Sequence, residues 1–483
     1  MSEAKSWDKF YINGEWVFPR GEGQIEVRDP ATEAYIRSVP RGNAEDVDSA
    51  VLAATQAFPR WAETSLEQRL NFLERFYQGY RSRLDELTEI MRAEVGIPTR
   101  FARTFLTEMS GEIIKSAIAN ARSYQFEQDF KGSLLIREPY GVVAAISPWN
   151  NPLFLSLNKI AMALAAGCTV VHKPASYTPG AAFVLAELAH EAEFPKGVFN
   201  VISGGGSDTG NALVAHPQVD LVDFTGSLDV GAKIAATAAE GVKKVILELG
   251  GKSPLIVLDD AAFEDAIKAG IASAFLLSGQ TCGAFTRLLV PQKRLSEAEE
   301  IACVVAKDFA LGSTEDELTV VGPVVSKSQQ QKIQEFIRKG IGEGAKLLLG
   351  GAETPEGFER GAYVKPTIFS NVGNQSTIAQ EEIFGPVQSI IPYDDDEQAV
   401  MFANDTKYGL RAAVWGSEER AIRIAKRIRA GQVDINGDKF TLEAPWGGYK
   451  GSGYGRCMGL IGFEEFLQIK SLQIRADLAA SYS

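Results

Sequence analysis

The sequence predicts an α/β protein of two or three domains, built on parallel β-α-β units. Three observations carry this reading. From Gly141 to Leu249, strand-like apolar runs alternate with helical runs at the spacing of parallel crossovers. A second helix-then-strand stretch begins near Lys252. The chain has 483 residues, more than one ordinary hydrophobic core encloses.

The elements follow in order. The segment through about residue 120 is expected to be helix-rich. Within it, Leu66, Leu70, Leu73 and Phe76 recur at three- and four-residue spacing, one face of an amphipathic helix. Residues 120–140 change character: S-L-L-I-R-E-P-Y is short, alternating and closed by proline, a small excursion of strands. G-V-V-A-A-I-S then reads as a buried strand and N-P-L-F-L-S-L-N-K-I-A-M-A-L-A-A-G as a helix ended by glycine. C-T-V-V-H-K, A-A-F-V-L-A-E-L-A-H-E-A and G-V-F-N-V-I-S continue as strand, helix and strand. D-L-V-D-F-T, V-G-A-K-I-A-A-T-A-A and K-V-I-L-E-L repeat the pattern. Beyond Lys252, Phe263, Ile267, Ile271 and Phe275 recur every four residues on one helix face, and T-R-L-L-V-P follows as a strand. Near the end, F-L-Q-I-K-S-L-Q-I-R alternates apolar and polar residues. Such an edge strand needs a partner, which favours an oligomer.

Composition narrows the function. Apolar residues make up 45% and charged residues 23%, an ordinary soluble balance. A net charge of −13 argues against nucleic acid as a partner, while leaving room for an anionic cofactor held by local backbone donors. The four cysteines, Cys168, Cys282, Cys303 and Cys457, form no C-x-x-C pair and no disulfide framework, which points to a reducing compartment. No secretory signal is visible, and A-M-A-L-A-A-G-C-T-V-V falls short of the roughly 20 residues of a membrane helix. A cytoplasmic protein with no membrane partner is therefore expected. Three histidines, His172, His190 and His216, leave little room for a histidine metal site or a Ser-His-Asp triad, and no metal is expected. Cys168 and Cys303 read as core residues, and Cys457 has no functional reading.

Four places can carry chemistry. Cys282, in S-G-Q-T-C-G-A-F-T, lies at a helix-to-strand connection, where a thiol is either a small buried hydrophobe or a nucleophile helped by a base. Glu248, in L-E-L-G-G-K, ends an apolar strand; it is either ion-paired or a desolvated general base. Asn150, in P-W-N-N-P, follows a buried strand in a proline-stiffened turn, where an amide can donate to an oxyanion. F-T-G-S-L-D-V-G joins strand to helix. It lacks the G-x-G-x-x-G spacing, yet Gly226 and Ser227 would stand at a helix N-terminus, a natural anion site. Lys173 ends another strand and could reach a ribose or phosphate.

Taken in order, P-W-N-x-P, K-P-A, F-T-G-S, E-L-G-G-K, G-Q-x-C, E-E-I-F-G-P-V and W-G-G-Y-K-x-S-G-x-G-R resemble the aldehyde dehydrogenase superfamily over essentially the whole chain. The resemblance implies a Rossmann-like NAD(P)-binding domain (1–119 and 141–251) and an α/β catalytic domain (252–450). It also implies bridging and oligomerisation strands (120–140 and 460–483) in a homodimer or homotetramer. It implies that Cys282 is the nucleophile, Glu248 the general base, and the Asn150 side chain with the Cys282 N–H the oxyanion hole. Lys173 would contact the adenosine ribose and Ser227, beside Gly226, the pyrophosphate. Trp149 would line the cofactor cleft, Glu382 would hold the nicotinamide ribose, and Phe384 would pack nearby. The cofactor would be NAD or NADP and the substrate a small aldehyde, oxidised through a thiohemiacetal and a thioester.

The sequence departs from the family pattern at three places. Ser176 stands where many NAD-preferring members carry glutamate, so NADP is expected to be accepted. Trp446 replaces the usual phenylalanine and, with Phe154, Leu155, Phe285 and Phe440, would line an apolar tunnel for medium-chain aliphatic or aromatic aldehydes. Arg100 and Arg103 offer a competing anchor for a semialdehyde carboxylate, though a solvated helix face also explains them. Two rival activities remain: CoA acylation, against which Glu248 counts, and a thiol esterase without nicotinamide.

Overall fold

The computed structural model describes residues 5–437 and 440–473. Its largest sheet has eight strands. In spatial order they are Gly453–Tyr454, Lys244–Glu248, Leu221–Thr225, Val142–Ile146, Thr169–Lys173, Phe199–Val201, Phe10–Ile12 and Glu15–Val17. The five from Lys244–Glu248 to Phe199–Val201 run parallel, and the outer pairs are antiparallel. Val142–Ile146, Thr169–Lys173 and Leu221–Thr225 are buried along their whole length, as continuous Val/Ile/Ala-rich runs require when helices cover both faces. The helix Pro152–Ala166 starts on proline and stops at Gly167, whose φ of 98° suits a residue without a Cβ.

The N-terminal segment is helix-rich as expected, but it opens with strands that the sequence reading did not foresee. Before the helix Ala44–Ala62 come four strands, Phe10–Ile12, Glu15–Val17, Gln24–Arg28 and Tyr35–Pro40. The first two form a hairpin across Asn13–Gly14, both at positive φ, the turn that an N-G pair favours. The helices that follow are capped as their sequences suggest. Asn43 and Asp46 form a reciprocal capping box, as do Ser65 and Gln68. In Leu66–Ser82, Leu70, Leu73 and Phe76 are buried and Leu66 packs at the core's edge.

The second sheet has seven strands: Lys346–Leu349, Thr367–Ser370, Val387–Tyr393, Arg287–Pro291, Pro254–Val257, Arg411–Trp415 and Gln432–Ile435. Only the first is antiparallel to its neighbour. The helix Phe263–Phe275 packs on it with Phe263, Ile267, Ile271 and Phe275 all buried. A third, antiparallel sheet joins Leu467–Gln473, Ser133–Pro139 and Glu127–Phe130. The excursion thus starts at Glu127, because the helix Met109–Ser123 occupies its first residues. Gly459–Glu464 is a helix rather than a strand: Phe463 turns into the core while Leu460 and Ile461 face out, a helical rather than alternating pattern. Ile474, Arg475 and the remaining C-terminal residues, expected to continue the last strand, lie outside the described residues. Among the described residues no helix is long and apolar enough to cross a membrane.

One consequence governs the site. The carboxyl ends of four strands of the first sheet lead directly into Ser147–Asn150, Pro174–Ser176, Gly226–Ser227 and Leu249–Gly251. Open α/β sheets bind ligands at this edge. The second sheet contributes the loop between Phe263–Phe275 and Arg287–Pro291, which carries Cys282.

Candidate active site

A cleft of about 160 Å³ collects Trp149, Asn150, Leu155, Gly226, Ser227, Cys282, Glu382 and Phe384 on one surface. Seven of these eight were singled out from sequence for the thiol and cofactor chemistry; Leu155 was assigned to the substrate tunnel instead.

The cysteine loop is set by its backbone. Leu277, Ser278 and Gly279 are consecutive left-handed residues (φ 51°, 56° and 72°) and turn the chain sharply after Phe263–Phe275. Gly279 is required twice over, since a Cβ there would sit 2.1 Å from the Gly385 carbonyl oxygen. The Ser278 hydroxyl donates to the Gly322 carbonyl at 2.9 Å, tying the strained turn down. Cys282 emerges partly exposed. Its thiol is pushed up to about 12 by burial, then by the negative charges of Glu382 and Glu248.

The buried Asn150 donates from Nδ2 to the Gln280 carbonyl at 2.9 Å, so the two sheets' loops are joined beside the thiol. Gln280 is a participant that its residue type did not disclose. Its Oε1 accepts from the Val325 N–H at 2.8 Å and its Nε2 donates to the Leu277 carbonyl at 3.3 Å.

Glu248 ends its strand opposite Gly453 and is 4% exposed. Neither carboxylate oxygen has a partner. It is not part of the cleft wall; Leu249 and Gly250, which follow it, are. Burial holds its carboxyl well above the usual range. Lys159 opposes that shift and Asp223 adds to it; to a smaller extent Arg456 opposes it and Glu465 adds to it. Lys159 is itself spent on Asp223, at 2.5 Å in a fully buried pair. The salt-bridge alternative for Glu248 therefore fails.

The two glycines of E-L-G-G-K serve Glu382. Its Oε1 accepts from the Gly251 N–H at 3.0 Å, and a Cβ on Gly250 would fall 2.1 Å from its Oε2. Burial pushes this carboxyl up to about 7. Phe384 meets Trp149 edge to face at 5.3 Å.

The residues fit a dinucleotide. Ser227 caps the helix Leu228–Glu240 in an extended conformation, and its side chain makes no bond to the helix's own N–H groups, leaving first-turn N–H groups for an anion. The Thr225 hydroxyl beside it is buried without a partner. Gly226 and Ser227 line the same cleft as Glu382. Lys173 and Ser176 stand apart from that cleft. Lys173 is buried and donates to the Pro174 carbonyl at 3.0 Å, and burial lowers its ammonium to about 8. The Ser176 hydroxyl donates to the Gly204 carbonyl at 3.2 Å.

The aromatic wall is smaller than expected. Phe154 and Phe440 lie 6.5 Å apart and Phe440 and Trp446 6.1 Å apart, with the Trp446 ring lying against Gly283, next to Cys282. Phe285 does not join them; it is buried in the second sheet's core under the Arg411 guanidinium, 4.7 Å away. Leu155 belongs to the thiol cleft instead. Arg103 is ion-paired to Asp85 and Glu108, and Arg100 lies over the Phe101 ring. Arg103 is thus committed to surface ion pairs, whereas Arg100 is exposed and has no carboxylate partner among the described residues. Cys303 is only partly buried rather than core.

Residues 16–472 match the aldehyde dehydrogenase family. The chain is 45% identical over 470 residues to 3-succinoylsemialdehyde-pyridine dehydrogenase of a Pseudomonas species, covering 97% of this chain and 98% of that one. Among solved structures it resembles a mutant of aldehyde dehydrogenase C from Pseudomonas syringae in complex with NAD+ and octanal. That match has a TM-score of 0.96 and 44% identity, covering 98% of each chain. It also resembles the Mycobacterium tuberculosis aldehyde dehydrogenase complexed with NAD+, with a TM-score of 0.95 and 41% identity, covering 98% of this chain and 99% of that one. With a thiol, an amide donor and an unpaired carboxylate gathered at a dinucleotide-compatible sheet edge, and with these relatives matched end to end, the chain belongs to the aldehyde dehydrogenase family and is an NAD(P)-dependent oxidoreductase acting on aldehydes.

Proposed function

We propose that Cys282 carries the reaction as a covalent nucleophile. Its thiolate attacks the aldehyde carbon, the C–S bond forms, and the carbonyl electron pair moves to oxygen. Asn150 Nδ2 and the Cys282 N–H receive that oxyanion; one such donor is worth about 3–4 kcal/mol. A nicotinamide ring, held by Gly226, Ser227, Trp149, Glu382 and Phe384, supplies the hydride acceptor when bound. The resulting thioester is hydrolysed by water that gives its proton to Glu248, releasing a carboxylate and restoring the thiol. Glu248 lies behind the cleft wall, so a side-chain rotation must bring it to the water. The observation that supports this reading above all is the sharing of one cleft by Cys282 and Asn150, with both Glu248 oxygens unpartnered nearby. Glu248 counts against CoA as the acyl acceptor. The division into 1–119 with 141–251 and 252–450 is supported by the two separate sheets.

The substrate class we favour is a medium-chain aliphatic or aromatic aldehyde. The Phe154, Phe440 and Trp446 rings support it, as does octanal in the Pseudomonas syringae relative. A semialdehyde is the second reading, motivated by the Pseudomonas relative named for one. We further propose that NADP is accepted, because Ser176 removes the carboxylate that repels a 2′-phosphate, and that the protein acts as a cytoplasmic homodimer or homotetramer. An aldehyde panel run with NAD and with NADP, scored by kcat/KM, tests all the substrate and cofactor statements. Octanal or benzaldehyde should lead. A short semialdehyde leading the panel, or NADP turnover lost in the noise, overturns the corresponding reading. Cys282→Ala should still bind cofactor and oxidise nothing.

A further inference from the structure

We infer that Gln280 is a positioning residue for the oxyanion donor, acting through Asn150; this rests on the proposed role of Asn150. The Asn150 amide carries two hydrogens, and the Gln280 carbonyl accepts one of them at 2.9 Å. The amide is planar, so fixing one N–H fixes the direction of the other. Asn150 and Cys282 line the same cleft, and Gln280 lies two residues before Cys282. The carbonyl that aims the amide therefore belongs to the backbone run just before Cys282, and the amide is what Gln280 acts on.

The side chain of Gln280 holds that run still. It is 1% exposed and uses both of its polar ends. Oε1 accepts from the Val325 N–H at 2.8 Å, anchoring the loop to a separate segment. Nε2 donates to the carbonyl of Leu277, one of the left-handed residues of the turn. Removing this side chain leaves a buried N–H at Val325 unpartnered and frees the carbonyl that orients Asn150. Nothing here requires Gln280 to touch the substrate.

The test is a double-mutant cycle on the full-length enzyme, using Gln280→Met, Asn150→Ala and the pair. Two rates are read: aldehyde oxidation with saturating NAD+, and hydrolysis of p-nitrophenyl acetate, which acylates the thiol without nicotinamide. Far-UV circular dichroism checks that each variant is folded, and NAD+ affinity is followed by tryptophan fluorescence. Asn150→Ala should lower both kcat values about 100-fold or more. Gln280→Met should lower both about 10- to 100-fold, the size of an ångström-scale misplacement, with NAD+ affinity unchanged. The double variant should be no slower than Asn150→Ala alone. Gln280→Glu keeps the acceptor for Val325, and while its buried acid is protonated the O–H replaces the donor to Leu277; read in that pH range it should be less impaired than Gln280→Met. If Asn150→Ala is costly but the Gln280 effect multiplies onto it, the inference fails while the donor role of Asn150 stands. If Asn150→Ala leaves kcat intact, the donor role fails and the inference with it. If Gln280→Met folds poorly, Gln280→Glu with Asn150→Ala supplies the same cycle, and multiplicative effects there overturn the inference.

Discussion

Cys282 sits among groups that oppose its own ionisation. Burial is the larger cause of its raised pKa, and Glu382 contributes the larger of the two charge effects. Without cofactor, alkylation by iodoacetamide should be slow at neutral pH and climb as pH rises toward about 12. Glu382→Gln should shift that climb to lower pH, measured as rate constant against pH; an unmoved curve contradicts the charge assignment. Glu248 gives a second prediction. Its carboxyl is neutral until pH exceeds a pKa that burial raises well above the usual carboxylate range, so thioester hydrolysis should quicken as pH rises through that raised pKa. Glu248→Gln should keep a pre-steady-state burst of reduced cofactor yet lose steady turnover about 100-fold and flatten that profile. The candidate residues Cys282, Glu248 and Asn150 were picked out in sequence by the order of their motifs rather than by residue type, since a buried thiol, a strand-end carboxylate and a turn amide each have an ordinary structural reading. Gln280 was not, because its main bond is made by a carbonyl every residue possesses. Phe285 was misread for a different reason: it lies in the connecting loop just before Arg287–Pro291, where no periodicity says whether an aromatic faces the cleft or the core.

The strand Thr169–Lys173 and the helix Pro152–Ala166 meet at a polar knot inside the first core. His172 Nε2 lies 3.0 Å from the Ser147 hydroxyl and 3.1 Å from that of Ser156, and all three are buried. Ser147 opens the loop that carries Asn150. Burial, with Lys173 and Lys159 nearby, lowers the imidazole to about 3. The sign follows from linkage. Above about pH 6.5 neither state is protonated and His172 has no effect. Below it the unfolded chain takes up a proton that the folded one refuses until about pH 3, so stability falls across that window. The loss is on the order of 5 kcal/mol. Denaturant unfolding of His172→Gln between pH 7 and 4 should give a shallower slope than the parent chain. Parallel strands and their helices were readable as elements because burial on both faces leaves unbroken apolar runs. The N-terminal strands were not, being three to six residues long, although Asn13–Gly14 was a signal at hand.

At the scale of the molecule, the order of motifs along the chain disclosed the family more securely than any motif alone. The meeting of the two sheets was beyond sequence, since contacts such as Asn150 with Gln280 join residues 130 apart. The third sheet carries its own prediction. Leu467–Gln473 lies at its edge with only Leu467 buried, and Ile469 is 63% exposed. Ile469→Asp should shift the protein toward smaller species in light scattering after size exclusion; an unchanged mass contradicts the proposed role of this edge. The two-sheet origin of the cleft reaches further. Cys282 and Asn150 are borne by separately cored halves, so on the proposed mechanism warming that merely loosens one half against the other should extinguish turnover. Heat inactivation should thus run ahead of the loss of helical circular dichroism, with the contact between the halves failing before either melts.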